Sequence, residues 1–293
     1  MKTGYVALIG RPNVGKSTLL NRLLWQKLSI VSRKPQTTRH RILGIKTTDA
    51  YQAIYVDTPG IHQGESRALN RYLNKAAATA LVGVDVVVWL IDGKGFRRDD
   101  ALVFEKLRTV KAPVILAINK IDKVRDKKTL LPLIAEARQR HPFAEIVPIS
   151  ALAGDNVEAL EQAIVERLPE GPPIYPEDQI TDKPERFFAA EIIREKLLYY
   201  LGDEIPHRLT VEIDQFREEE RLTAIYAVIW VERESQKPIV IGRKGELLKK
   251  VGQQARLELE DFLGRKVYLN LWVKVKKGWS DDERLLKQLG YAD

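Results

Sequence analysis

Gly10-Arg11-Pro12-Asn13-Val14-Gly15-Lys16-Ser17-Thr18 is the stretch that decides the fold. An apolar run, Tyr5–Ile9, precedes it, and a helical run, Lys16–Leu24, opens inside it. GxxxxGKS between a strand and a helix predicts a phosphate-binding loop. Glycines let backbone N–H groups close around phosphate oxygens, and the helix N-terminus adds its positive dipole end. In such a loop Lys16 reaches the β- and γ-phosphates and the Ser17 hydroxyl binds Mg²⁺.

Two further segments follow in order. Asp57-Thr58-Pro59-Gly60 ends a second apolar run, and Asn119-Lys120-Ile121-Asp122 ends another. The Asp122 carboxylate can accept two hydrogen bonds, from guanine N1–H and N2–H₂, whereas adenine offers no such pair. The expected ligand is therefore GTP or GDP.

Composition agrees with a globular chain long enough for more than one core. The 293 residues are 44% hydrophobic and 30% charged, with a formal net charge of +8. A basic excess favours an anionic partner, nucleic acid or lipid head groups. Without cysteine, disulfides and thiolate metal sites are excluded. His40, His62, His141 and His207 are too dispersed to suggest a metal site, and the five tryptophans read as core or groove wall. The first strand starts too near Met1 for a signal peptide, and the longest apolar stretch, Ala80–Ile91, is interrupted by Asp85. The expected location is cytoplasmic, with peripheral contact to the cytoplasmic face of the inner membrane left open.

Short apolar runs alternate with helical ones up to Leu168. Strands are expected at Tyr5–Ile9, Ile42–Lys46, Gln52–Val56, Val86–Ile91, Val114–Ile118 and Glu145–Ile149. Helices are expected at Lys16–Leu24, Arg67–Leu81, Asp99–Val110, Thr129–Arg140 and Asn156–Leu168. This order predicts an α/β domain with a mostly parallel six-stranded sheet over residues 1–168, its ligand at the strand ends. Five prolines between Pro169 and Pro184 mark residues 169–185 as a linker to a second domain, 186–293. That domain starts with an amphipathic helix, Phe187–Leu198, followed by strands Leu209–Phe216 and Leu222–Val231, a helix–turn–helix, and the strand Val267–Val275.

The turn is Ile241-Gly242-Arg243-Lys244-Gly245, followed by Lys249 and Lys250 on the next helix. A GxxG loop with basic residues at its middle is the KH arrangement, which brings an RNA backbone close and holds about four unstacked bases beside it. Between Ile239 and Lys277 ten basic residues face four acidic ones, a net +6 concentrated where an RNA backbone would lie.

The ordered set resembles the Era family of bacterial ribosome-assembly GTPases, relatives of the translation-factor GTPases. The resemblance also runs through Gln36-Thr37-Thr38-Arg39-His40, Ser150-Ala151-Leu152 and Leu271-Trp272-Val273-Lys274-Val275-Lys276. It implies a P-loop GTPase domain followed by an α+β type II KH domain. It further implies that Asp57 holds Mg²⁺ in its second shell and that the Gly60 N–H senses the γ-phosphate. Thr38 would cap Mg²⁺ in the GTP state, with Thr37 as the alternative. Asn119 and Lys120 would brace the base and the phosphate loop, the Ala151 N–H would meet guanine O6, and Asn13 would help to bind K⁺. Ile61 stands where Ras-type GTPases place the glutamine that orients the attacking water. Lys16, Thr38, Asp57 and Gly60 are thus the expected catalytic set.

The implied function is a GTP-hydrolysing switch that binds the 3′ end of 16S ribosomal RNA and assists 30S subunit assembly, acting as a monomer. The competing expectations are a membrane-associated signalling GTPase linked to growth and division, and a tRNA-modifying metabolic GTPase. The second of these lacks candidate catalytic groups in the C-terminal half.

Overall fold

The computed structural model describes residues 1–34, 36–61, 67–202 and 205–291. His62 lies outside these residues. The chain divides into two units, one comprising Met1–Val31, Thr38–Gly64 and Tyr72–Asp182, the other Ser32–Thr37, Glu65–Arg71 and Lys183–Asp293.

In the first unit the order is β1 (Lys2–Ile9), α1 (Lys16–Leu24), β2 (Ile42–Thr47), β3 (Tyr51–Asp57), α2 (Ala68–Thr79, of which residues 68–71 are grouped with the second unit), β4 (Val86–Asp92), α3 (Asp100–Leu107), β5 (Val114–Asn119), α4 (Leu130–Arg140), β6 (Glu145–Pro148) and α5 (Val157–Arg167). All six expected strands form one sheet, ordered β2-β3-β1-β4-β5-β6. Every pairing is parallel except β2 against β3. Successive side chains leave opposite faces of a strand. On β1, Val6 and Leu8 therefore join the core with α1 and α5, while Ala7 and Ile9 join the one with α3 and α4. Burial on both faces explains why the strands read as continuous apolar runs.

Parallel register then lines up the strand ends. Leu8 pairs with Asp57, so the phosphate loop leaves β1 beside that carboxylate, and Asp92 pairs with Asn119. The nucleotide motifs accordingly emerge at one end of the sheet, beyond the carboxyl ends of its parallel strands.

The proline-rich stretch is ordered against the first unit rather than standing free as a linker. The Thr3 N–H donates to the Pro169 carbonyl at 2.9 Å, and the Ile45 N–H to Ile180 at 2.9 Å. Fully buried Gln52 accepts from the N–H groups of Ile174 and Tyr175 at 2.7 and 3.0 Å and donates to the Tyr175 carbonyl at 2.8 Å. The strap supplies partners to the outer groups of edge strand β2, which would otherwise be open to another chain.

The second unit runs α6 (Glu185–Tyr200), β7 (Leu209–Glu218), β8 (Thr223–Val231), α7 (Lys237–Ile241), α8 (Glu246–Leu263), β9 (Val267–Val275) and α9 (Glu283–Gln288). Its sheet is ordered β7-β8-β9, with β7–β8 antiparallel and β8–β9 parallel. That is the type II KH order, α-β-β-α-α-β, plus a C-terminal helix. Ile193 and Leu197 of α6 and Val251 and Leu259 of α8 share one core with the sheet. No helix among the described residues is long and apolar enough to cross a membrane.

The tryptophans divide. Trp89 and Trp279 are core, as their size suggests, but Trp25 and Trp272 are 73% and 58% exposed, contrary to the expectation of core or groove wall.

Candidate guanine-nucleotide site and GxxG loop

The phosphate loop depends on its glycines. Gly15 has φ +108°, and a Cβ there would lie 2.2 Å from the Asn119 amide nitrogen. A Cβ on Gly60 would lie 2.6 Å from the backbone nitrogen of Pro12. The two expected phosphate-sensing segments therefore touch backbone to backbone, an approach that any side chain would block.

Lys16 leads α1 with its ammonium group inside the loop, 3.1 Å from the Gly10 carbonyl and 3.0 Å from that of Arg11. Burial pulls its pKa down to about 8, against the opposing pull of Asp57. Asp57 is fully buried. Burial pushes its carboxyl up, while the Lys16 charge and the hydroxyls of Ser17 and Ser29 draw it back.

Three oxygens converge in front of this pair. Ser17 Oγ donates to Asp57 Oδ2 at 2.7 Å and lies 2.8 Å from Thr38 Oγ1. Asp57 Oδ1 is buried with no hydrogen-bond partner, which is costly unless something else meets it. Hydroxyl and carboxylate oxygens suit a hard cation such as Mg²⁺, which keeps several waters and binds substrate phosphates alongside few protein ligands. Among the described residues no cluster of three or more His, Cys, Asp or Glu side chains could hold a metal, so a cation here would rest on this mixed set. Of the two candidate threonines, Thr38 meets Ser17, whereas Thr37 donates to the Lys34 carbonyl at 2.6 Å.

Asn119 ties the phosphate loop to the segment expected to meet the base. Its Nδ2 donates to the Val14 carbonyl at 2.9 Å, and its Oδ1 accepts at 2.9 Å from the Ala151 N–H, which is thus engaged by Asn119 rather than left facing the place expected for guanine O6. Lys120 Nζ donates to the Asn13 carbonyl at 2.6 Å. Ser150 Oγ donates to Asp122 Oδ1 at 2.7 Å, which orients an exposed carboxylate. Leu152 is 67% exposed at the rim, and Thr58 Oγ1 donates inward to the Leu8 carbonyl. Ile61 is 2% exposed and belongs to the apolar core with Ile9 and Val87.

Several supporting residues carry no motif and escaped the sequence reading. Ser29 Oγ donates to Asp57 at 2.8 Å. Asn21 holds Ser29 in place by accepting from its N–H and donating to its carbonyl. Arg22 donates to the carbonyls of Ala151 and Leu152. Asp92 lies 3.2 Å from Lys120 and 3.7 Å from Arg11, whose other side faces buried Asp100 at 3.6 Å. A polar residue at the C-terminal end of a strand, such as Asp92, is the one signal that could have been read.

In the second unit Gly242 has φ +77° and ψ 172°, and Gly245 has φ +80°. A Cβ on Gly242 would lie 2.6 Å from that of Leu247, so the first glycine is required by both conformation and space. Arg243, Lys244, Lys249 and Lys250 are exposed around the turn, and Ile241 is half-buried beside it. Not all the local positive charge faces solvent alone: Arg256 and Lys266 pair with Glu260, and Arg265 with Glu185 and Glu218.

Comparison with known proteins gives the following. A family described as 50S ribosome-binding GTPase matches residues 5–120, and the KH domain family matches residues 204–280. GTPase Era of Ectopseudomonas mendocina is 56% identical over 292 residues, covering all of this chain and 98% of that protein. GTPase Era of Glaesserella parasuis is 56% identical over 291 residues, covering 99% of this chain and 97% of the other. Two solved structures match over the whole of both chains at 46% identity and a TM-score of 0.97. One is a variant of Aquifex aeolicus Era bound to GDP.AlF4⁻; the other is Era in complex with MgGDPNP and nucleotides 1506–1542 of 16S ribosomal RNA.

Proposed function

Since the chain belongs to the Era family of GTPases, we propose that its hydrolysis of GTP drives a switch that binds the 3′ end of 16S ribosomal RNA and assists assembly of the 30S subunit. The observation that carries the nucleotide half is the double engagement of Asn119, with the phosphate loop on one side and the Ala151 N–H on the other. It supports a single pocket that reads phosphate and guanine together. The RNA half rests on the basic GxxG loop and on the RNA-bound relative.

In this reading Lys16 exchanges its two loop carbonyls for the β- and γ-phosphates. Ser17 and Thr38 would hold Mg²⁺ directly, and Asp57 would do so through water by its otherwise unpartnered Oδ1. Mg²⁺ supplies neutralisation of the phosphate charge. Buried Ile61 has no atom that could polarise the attacking water, so basal turnover is slow and draws on backbone donors, on a K⁺ ion beside Asn13, or on a bound partner. The protein acts as a monomer, with membrane contact limited to the surface.

Crosslinking in cells, followed by sequencing of the bound RNA, tests the assignment. Enrichment of the 16S 3′ end is expected. Reads spread evenly over cellular RNA, together with flotation of the protein on anionic vesicles in the absence of RNA, would instead favour the membrane-docked signalling role.

A further inference from the structure

The second unit presents an aromatic surface well apart in sequence from the GxxG loop. Alternation along the strands sends Ile213, Ile225, Ile229 and Val273 into the core with α6 and α8. The opposite face is formed by the intervening positions. There Tyr226 is level with Asn270, Val228 with Trp272, and Trp230 with Lys274. Tyr268 stands at the near end of the same row on β9, its ring 5.8 Å from that of Tyr226. Tyr268 is 48% and Trp272 58% exposed, two large rings left in water on this face.

Charge indicates what covers it. Lys274 and Lys276 place their ammonium groups 5.9 and 5.1 Å from the Trp230 ring centroid, and exposed Arg217 shares a row with Ala224 and Tyr268. Of the carboxylates on β7, Glu212 is engaged by the Trp230 indole N–H at 2.7 Å, and Asp214 stands at the bulge between Ile213 and Gln215. Val228, between the rings, is only 7% exposed. The Tyr268 and Tyr226 rings pack together, and Trp272 stands exposed on the same face beside buried Val228. Aromatic faces flanked by cations and amides are what unpaired nucleotides require: bases stack on the rings, and phosphates meet the lysines.

We infer that this sheet face is a second single-stranded-RNA surface, on which bases stack against Tyr268 and Trp272 while Lys274 and Lys276 hold the backbone. The inference rests on the RNA-binding role proposed above. The test uses the full chain and two fluorescein-labelled unstructured RNAs, of about six and about twenty nucleotides. The shorter is about long enough to fill a GxxG groove, which holds roughly four bases. Tyr268→Ala with Trp272→Ala should weaken the longer RNA about tenfold and leave the shorter RNA and GTP turnover unchanged. With 4-thiouridine in the longer RNA, crosslinks should map to the β9 peptide. Trp272→Phe with Tyr268 intact should retain most of the affinity, because a stacking ring remains. Unchanged affinity of the double alanine variant for the longer RNA overturns the inference, as does loss of a copurifying protein with RNA binding intact. Failure of the underlying reading would look different: Arg243→Asp with Lys244→Asp would then leave both RNAs bound as in the wild type.

Discussion

At the scale of single residues, specificity and proton balance are the testable matters. Ser150 and the Asp122 carboxylate are 2.7 Å apart, an arrangement suited to presenting two acceptor oxygens to guanine. Asp122→Asn replaces the acceptor pair with an amide that fits xanthine better. GTP affinity should fall by about 2–4 kcal/mol and XTP should become the preferred ligand in a competition assay; unchanged GTP binding would contradict the assignment. Lys16 gives a pH prediction. Burial has lowered its pKa to about 8 in the nucleotide-free protein, and phosphate oxygens beside it will raise that value. Below about pH 8 the lysine is protonated in both states and exchanges no proton on binding. Above it, the free protein has lost a proton that the complex regains, so binding takes up a proton and affinity declines as pH rises. Calorimetry at pH 8.5 in buffers of different ionisation enthalpy should show that uptake, and a binding enthalpy independent of buffer would refute it. The motif residues at this site were legible because phosphate and guanine chemistry demands particular groups at fixed spacings. Ser29, Asn21 and Asp92 were not, because each acts through a contact that only the folded chain creates.

At the scale of elements, the strands were legible and the strap was not. Val86–Ile91 and Val114–Ile118 are apolar throughout because both faces of the sheet are covered, and such a run signals itself without any knowledge of its neighbours. Residues 169–182 have no such pattern. Their order comes from Gln52, Thr3 and Ile45, each more than a hundred residues away in sequence. Proline and glycine there read as a linker between domains, whereas residues 169–182 are bound to the first unit. The exposed Trp272 departs from expectation for a related reason: size alone does not bury a side chain on the sheet face away from the helices. Gln52→Ala should release the strap, since three hydrogen bonds to residues 174 and 175 end on this one buried side chain. The expected cost is about 1–3 kcal/mol in urea unfolding, with faster protease cleavage between Pro169 and Asp182. Unaltered cleavage would mean that the strap is held by its backbone contacts alone.

At the scale of the whole molecule, the chain joins two sites of different chemistry. The nucleotide site is built from glycine turns, one buried lysine and a few oxygens at the end of a parallel sheet. The other is an exposed basic turn between α7 and α8. The formal charge of +8 is unevenly shared, with +6 between Ile239 and Lys277. Ion pairs to Glu260, Glu185 and Glu218 engage the Arg256, Arg265 and Lys266 part of it, leaving Arg243, Lys244, Lys249 and Lys250 as the exposed cations at the turn. The central claim is that one chain carries both a guanine-nucleotide site and an RNA site formed by this loop. The direct test is binding of the full chain to a labelled RNA matching the 3′ end of 16S ribosomal RNA, at two salt concentrations, with GTP affinity measured on the same samples. Arg243→Asp with Lys244→Asp should weaken RNA binding, reduce the salt slope by about 0.7 for each lost phosphate contact, and leave GTP affinity unchanged. Equal RNA affinity and equal salt slope in wild type and variant would contradict the account.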